Sequence, residues 1–479
     1  MSAAPLLSPT ARALAAQLHA ALADRCADLD RADLDRAAPA APAPLPAYRA
    51  APVPDDLRPG RAELIVEASD LSALRAALVS GADAVVIDFD DTFSPTRANV
   101  AAAYAALPEW LAAPVPLLAR PRALYALEAH EPCGGQPGRA ALCDLAALLT
   151  AGAGLTAREG LTAGPGRMPH LYLPKLESVA QAQVWADALA LAEAHLGLGR
   201  GTLRVCLQIE TFPGLLAADA LLFTLRDWAF GLNAGRWDYV FSLVKTAGAD
   251  LGCPVPPRAG LGMDLDAMQA YAQALVDVCR ARGAQAVGGT AAVAPDPRDP
   301  QPALDAVRAD KAREAAQGFR GAWAGLPELL DAVREGLRAP AAASDAAPVT
   351  SARLLDLPHP GPLDGAEVLD TAGLALDVFR AWLAGQGVVT RGGRIEDTAT
   401  AELARALLWQ WVTVCAPLDG GATLTPDTYR ALRRRLAPDD APEARLLDHL
   451  VLSPLPPAYF PAEAARLNLT DPPERMPHD

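Results

Sequence analysis

Between residues 59 and 337, short β-prone runs alternate with amphipathic helical stretches, and this alternation constrains the fold of the 479-residue chain more than any other feature. The runs read AELIVEA, AVVIDF, VPLLAR, HLYLPK, RVCLQIE, WAFGLN, a weak GLGMD and AQAVGGTAA. Between them, DLSALRAALVSG, SVAQAQVWADALALAEAHLG and DAMQAYAQALVDVCRARG each repeat an apolar face at helical spacing. Such alternation predicts βα units and a parallel sheet. Eight units within roughly 250 to 280 residues predict a (β/α)8 TIM barrel rather than an open sheet.

Two Pro/Ala-rich breaks flank this region, APAAPAPLPA at 38–47 and RAPAAASDAAPVTSA at 338–352. They predict three parts: an N-terminal helical segment and linker over 1–58, the barrel over 59–337, and a C-terminal all-helical domain over 350–479. Leu14, Leu18 and Leu22 give the first part its helical spacing. A hydrophobic content of 51% is enough for a large core. The net charge of −15, with no block of Lys and Arg, excludes a nucleic acid or an anionic membrane surface as partner.

Seven scattered cysteines, never spaced as CxxC, argue against a disulfide framework or a zinc site and predict reduced, mostly core-filling thiols. No segment reads as long and apolar enough to span a bilayer, and the N-terminus lacks a basic stretch followed by an unbroken apolar one. The expected location is cytoplasmic. The terminal ERMPHD lacks a peroxisomal address. Oligomeric state is left open, with a homo-oligomer among the arrangements allowed.

Barrel active sites lie at the C-terminal ends of the strands. Here those ends carry Asp88, Asp90 and Asp91 after the second run, Arg120 and Arg122 after the third, Lys175 and Glu177 after the fourth, and Glu210 after the fifth. GLNAGRWDYVFSLVKT, residues 231–246, admits two readings. With WAFGLN as strand, Asp238 falls in the following loop and joins that face. With DYVFSLV as strand, it sits at the wrong end. Gly231 and Gly235 fit a loop, so a helix is expected from Tyr239 onward. Glu210 and Asp238 then come from adjacent strand ends and supply oxygen ligands suited to Mg2+.

ARPR, LYLPKLES, LQIETFPG, GLNAGRWDYVFS, RARGAQAVGGTAA, RADKAREAAQGFRGAW and RIEDTATAELARALLWQW follow one another across most of the chain. Together they resemble the malate synthases of the shorter, A-type kind. The resemblance implies a Mg2+-dependent condensation of glyoxylate with acetyl-CoA, followed by hydrolysis to malate and CoA. By motif, Glu210 of IET and Asp238 of RWD would hold the metal. Arg120 would be the catalytic arginine and Asp397 of IEDTATAE the general base, supplied by the third part of the chain. Arg122, Lys175, Gly235, Arg236 and Trp237 are candidates for substrate binding.

Each assignment has a plainer competitor. Asp397 and Asp238 are also good helix N-caps, since an apolar helical pattern follows both. Glu210 also reads as an ion-pair partner, and the Asp88, Asp90 and Asp91 cluster as loop caps that hold arginines. Trp409 and Trp411 read as core, the seven histidines show no zinc-ligand pairing, and AGAGLTAREGLTAGPG reads as a flexible loop without the Lys of a phosphate loop. The chain departs from the family pattern at RPRALY, at Leu326, and at LDTAGLALDVFRAWLAG, all of which bear on acyl-CoA affinity and substrate choice. Two other readings remain: a CoA-ester lyase of the citrate-lyase β-subunit kind, and a non-catalytic binding protein derived from a synthase.

Overall fold

The computed structural model describes residues 4–35, 45–133, 136–158, 168–340 and 347–470. Eight parallel strands form the centre: β1 (Arg61–Glu67), β2 (Ala84–Asp88), β3 (Leu117–Arg120), β4 (His170–Leu173), β5 (Val205–Ile209), β6 (Ala229–Ala234), β7 (Gln285–Val287, resuming at Thr290–Ala291) and β8 (Gly321–Ala324). Neighbours in the chain pair in order from β1 to β7. β8 pairs with β1 through Arg61↔Gly321 and with the second half of β7 through Thr290↔Trp323. The Gly288 N–H also donates to the Gly321 carbonyl at 2.7 Å, so the sheet closes on itself. β2, β5 and β6 are buried along their whole length, which explains why they read as continuous apolar runs rather than alternating ones.

The expected seventh run, GLGMD, is not a strand. Residues Arg258–Gly260 form one 3-10 turn, and the chain then runs without ladder bonds to the helix starting at Asp266. AQAVGGTAA is therefore β7, and the eighth strand is the four-residue GAWA, which contains no β-branched residue and so has little strand signature of its own. Its place is fixed by pairing on both edges.

Helix α1 (Pro9–Asp35) buries Leu14, Leu18 and Leu22 and packs across α2 (Ala140–Arg158) and the helix Val179–His195, forming an extra layer on the barrel's outer ring. AGAGLTAREGLTAGPG is not a loop throughout: its first half belongs to α2, and residues 159–166 lie outside the described residues, as do most of the first Pro/Ala break and the terminal ERMPHD. The window Ala140–Ala157 is long and apolar enough to cross a membrane by composition, contrary to expectation. Most of it is buried inside the protein, and packing against α1 and the neighbouring ring helices accounts for its apolarity.

Two more helices matter for the site. α3 (Arg236–Ala247) follows β6, and α4 (Thr398–Thr413) is the central helix of the C-terminal part, buried from Thr398 to Val412. Among its described residues that part is mostly helical, with a hairpin, Val389–Arg391 with Arg394–Glu396, that leads directly into α4. α4 docks on the barrel side through α3 and the loop after it. The Trp411 Nε1–H donates to the Val255 carbonyl at 2.7 Å, and the Gln410 amide bonds the Gly248 and Cys253 carbonyls and the Val255 N–H. Trp409 and Trp411 are buried, and Trp411 spans the junction rather than only filling the helical core. Under the site, Glu63 accepts from Arg61, from the Tyr172 hydroxyl at 2.6 Å and from the Trp323 indole at 3.1 Å, so this buried carboxylate has three donors.

Candidate active site

The β2 and β3 ends meet in register, Asp88 opposite Arg120. Asp88 accepts from the Asp90 and Thr92 N–H groups at 2.9 Å, which folds the DFDDT loop over the strand end, and it grips the Arg120 guanidinium with both oxygens. Arg120 Nη1 then donates to Asp91 at 2.7 Å. Burial alone would lower the Arg120 pKa, but Asp88 and Asp91 outweigh it and raise it well above its ordinary value. The guanidinium also lies 5.2 Å from the Trp323 ring centre, which fixes its plane against the barrel interior.

After β4, Lys175 adopts φ +53°, a left-handed conformation rare for a side-chain-bearing residue. That turn serves two contacts. Its backbone N–H donates to Glu210 at 2.8 Å, and its ammonium reaches Asp91 at 2.6 Å, Asp90 at 2.9 Å and Asp238 at 3.3 Å. Glu210, one residue past β5, also accepts from the Gln208 amide at 3.1 Å. Gly235 allows this placement, because a Cβ there would stand 2.5 Å from the Glu210 oxygen. Tyr271 ties the two strand ends together: its hydroxyl accepts the Gly235 N–H and donates to the Ile209 carbonyl.

Asp238 lies in the first turn of α3, not in a loop before it, and the helix begins at Arg236 rather than Tyr239. Gly235 is the N-cap, so the capping explanation of Asp238 does not hold. One carboxylate oxygen from each of Asp91, Glu210 and Asp238 falls within 4.8 Å of the others, and these residues are only 3%, 1% and 4% exposed. Burial raises Glu210 to about 7, and burial plus the Asp91 charge raises Asp238 well above the carboxylate range. Asp238 Oδ1 makes no hydrogen bond and has only the Lys175 ammonium, at 3.3 Å, as an ion-pair partner. Three crowded, desolvated carboxylates fit a hard divalent cation, for which an all-oxygen donor set is the preferred chemistry. The sequence reading of Asp91 as part of a cluster that holds arginines is met by its bond to Arg120, and its place beside Glu210 and Asp238 is additional. Its signal was its position, since it follows a strand end on the same rim as Glu210.

Asp397 caps α4: its Oδ1 accepts the Thr400 N–H at 3.2 Å, and the Thr400 hydroxyl accepts the Asp397 N–H at 2.9 Å. The capping reading is thus correct for this residue, yet Asp397 also lines the same cavity as Asp91, Arg120, Glu210 and Asp238, a space of about 370 Å3 at the barrel mouth. Burial, then the charge of Asp91, raises its pKa to about 7. The cap fixes the carboxylate, and the cavity gives it something to act on.

Of the substrate-binding candidates, Gly235, Arg236 and Trp237 line this cavity. Two guanidiniums lie over the Trp237 ring, Arg236 at 3.9 Å and Arg258 at 4.5 Å from its centre, and Arg258 is held by Glu396 at 2.8 Å. Burial pulls Arg236 down to about 10. Lys175 stands behind the acidic trio, its side chain 1% exposed. Arg122 is not at the site. Asp144, Glu128 and the Tyr104 hydroxyl engage its guanidinium in the wall behind β3, away from the cavity.

Residues 116–344 match the family profile described as malate synthase, TIM barrel domain, and residues 366–437 match the one described as malate synthase, C-terminal. A malate synthase of Streptomyces clavuligerus is 35% identical over 429 residues, covering 80% of this chain and 76% of that protein. One from Myxococcus xanthus is 33% identical over 410 residues, covering 80% and 74%. Among solved structures, the pyruvate/acetyl-CoA ternary complex of Haloferax volcanii malate synthase matches the fold with a TM-score of 0.50 at 17% identity, over 74% of this chain and 91% of that chain. Two profiles in chain order and relatives aligned over most of their length lead to one conclusion: the chain belongs to the malate synthase family.

Proposed function

We propose that the protein condenses glyoxylate with acetyl-CoA and hydrolyses the resulting thioester to malate and CoA, with Asp397 and Arg120 as its catalytic residues. The observation that carries this reading is that Asp397, delivered by the C-terminal part, lines one cavity with Arg120 and the acidic trio. Asp397 takes a proton from the methyl group of acetyl-CoA. Its fixed cap geometry and a pKa lifted toward neutrality suit a general base. Arg120 stabilises the enolate oxygen with a guanidinium already oriented by Asp88, so little reorganisation is needed as charge develops. The methyl carbon then attacks the aldehyde carbon of glyoxylate, and water cleaves the thioester.

Asp91, Glu210 and Asp238 would hold Mg2+, which when bound supplies a Lewis acid that orients the 2-oxo acid and polarises its carbonyl. Lys175 keeps those carboxylates together from behind, and Arg236 with Trp237 forms the cavity wall nearest the hairpin that leads to Asp397. A CoA-ester lyase of the citrate-lyase β-subunit kind would have no use for a base carried by a separate helical part. The same proposal places the enzyme in the cytoplasm, in keeping with seven free cysteines. The test is release of CoA thiol by purified protein with Mg2+, glyoxylate and acetyl-CoA, with propionyl-CoA and other 2-oxo acids as comparisons. Thiol release that does not depend on glyoxylate would overturn the reading.

A further inference from the structure

Behind the barrel wall, far in function from the acidic trio, three elements bring two sulfurs and an imidazole together. Cys133 ends the outer strand Leu127–Cys133 of a hairpin, Cys143 sits in the first turn of α2, and His19 comes from α1. The two Sγ atoms and a ring nitrogen of His19 lie within 4.8 Å of one another. From sequence, a spacing of ten residues gives no sign of this, because hairpin and helix must fold back on each other first. Cys133 is partly exposed, whereas Cys143 is fully buried.

A metal site is the obvious reading of such a group, but both imidazole nitrogens are already engaged. Nδ1 donates to the Ala15 carbonyl at 2.7 Å, and Nε2 accepts the Arg139 N–H at 2.7 Å. An ion bound through either nitrogen would displace a backbone partner that ties α1 to the hairpin. What remains free to react is the pair of sulfurs, one reachable from solvent and the other directly behind it.

We propose that Cys133 and Cys143 form a reversible thiol–disulfide couple in which Cys133 meets the oxidant and Cys143 resolves the product. The oxidant class is a peroxide. The Cys133 thiolate attacks one peroxide oxygen, the O–O bond breaks, and the sulfur becomes a sulfenic acid while the other oxygen leaves as water after protonation. The Cys143 sulfur then attacks Cys133, forming the S–S bond and breaking the S–O bond, with the second oxygen also leaving as water. Two thiols have lost two electrons and two protons, and one peroxide has become two waters. A dithiol reductant reverses the step by exchange.

Two features support the direction. With Cys143 beside it as thiol donor, Cys133 is brought down to about 5 against burial, while Cys143 moves well above its ordinary value. Cys133 is therefore the thiolate at neutral pH and Cys143 keeps the proton until the second step. The bond would also staple the hairpin to α2 beside the Arg122 cage, since Asp144 follows Cys143 and Glu128 lies on the same strand as Cys133. The couple is independent of the substrate reading above.

The experiment exposes reduced, full-length protein to a few equivalents of hydrogen peroxide, followed by thiol titration and peptide mapping by mass spectrometry. The expected result is loss of two of the seven thiols and a Cys133–Cys143 linked peptide that dithiothreitol removes. Cys143→Ser should trap a dimedone-reactive sulfenic acid on Cys133, and Cys133→Ser should leave Cys143 reduced. The proposal fails if the exposed Cys415 is oxidised while the pair stays reduced, or if Cys133 proceeds to sulfinic acid without a link. It fails equally if one equivalent of zinc binds the wild type tightly and Cys133→Ser abolishes that binding. Should either variant misfold by circular dichroism, the wild-type linked peptide decides alone.

Discussion

In the proposed mechanism Asp397 serves two purposes. As an N-cap it is held by the Thr400 amide, and as a base it must be ionised, which its raised pKa of about 7 opposes. Turnover should therefore fall about tenfold per pH unit below 7 and level off above it, read from the kcat–pH profile. Asp397→Asn keeps the cap but removes the base. It should lower kcat by at least about 10^3-fold while glyoxylate binding changes little by calorimetry. Unchanged turnover would remove Asp397 from the mechanism. Glu67, at the end of β1 and on the cavity wall, gives a separate test. Burial, partly offset by the Ser69 hydroxyl, raises it to about 7. The folded state thus holds its proton to higher pH than the unfolded chain, so its ionisation costs stability that grows from pH 4.5 and is complete above about 7. Glu67→Gln should stabilise the protein by about 1–2 kcal/mol at pH 8 and scarcely at pH 4.5, measured by urea unfolding.

At the scale of elements, the site depends on how closely strand ends approach each other. Gly235 connects β6 to α3 where the backbone passes within Cβ distance of Glu210. In Gly235→Ala, the new methyl would collide with the Glu210 carboxylate and its Cβ, so the glutamate must move. Mg2+ affinity should drop more than about tenfold by titration calorimetry, with a stability loss of about 1–3 kcal/mol. Retained affinity would show that Glu210 does not hold the ion. Long or strongly patterned elements were legible in the sequence: α1 through its leucines, β2 and β5 through their unbroken apolar runs, and the helix Asp266–Arg282 through its periodicity. β8 was not. GAWA becomes a strand because ring closure leaves an edge on each side of it, a long-range condition that a run of four residues cannot express locally.

At the scale of the molecule, the proposed mechanism requires α4 to hold Asp397 over the barrel. The Gln410 side chain and the Trp411 indole secure that dock on the segment Gly248–Val255. Gln410→Leu would leave the buried Val255 N–H and the Cys253 and Gly248 carbonyls short of a partner, at a cost of about 2–3 kcal/mol. It should lower kcat several-fold while leaving Mg2+ affinity near wild type, since the acidic trio belongs wholly to the barrel. Parallel loss of both would place the metal site's integrity in the dock as well. The sequence by itself determined the βα alternation and the rim on which Arg120, Glu210 and Asp238 stand, through local periodicity and residue type, and it pointed to Asp397 only through the resemblance of IEDTATAE to a family motif. Only the tertiary structure decided that Asp91 completes the trio, that Arg122 is walled off by Glu128 and Asp144, that Lys175 braces carboxylates from three strand ends, and that Cys133 meets Cys143. Each of those depends on distances between segments far apart in the chain, and such distances exist only once the barrel has closed.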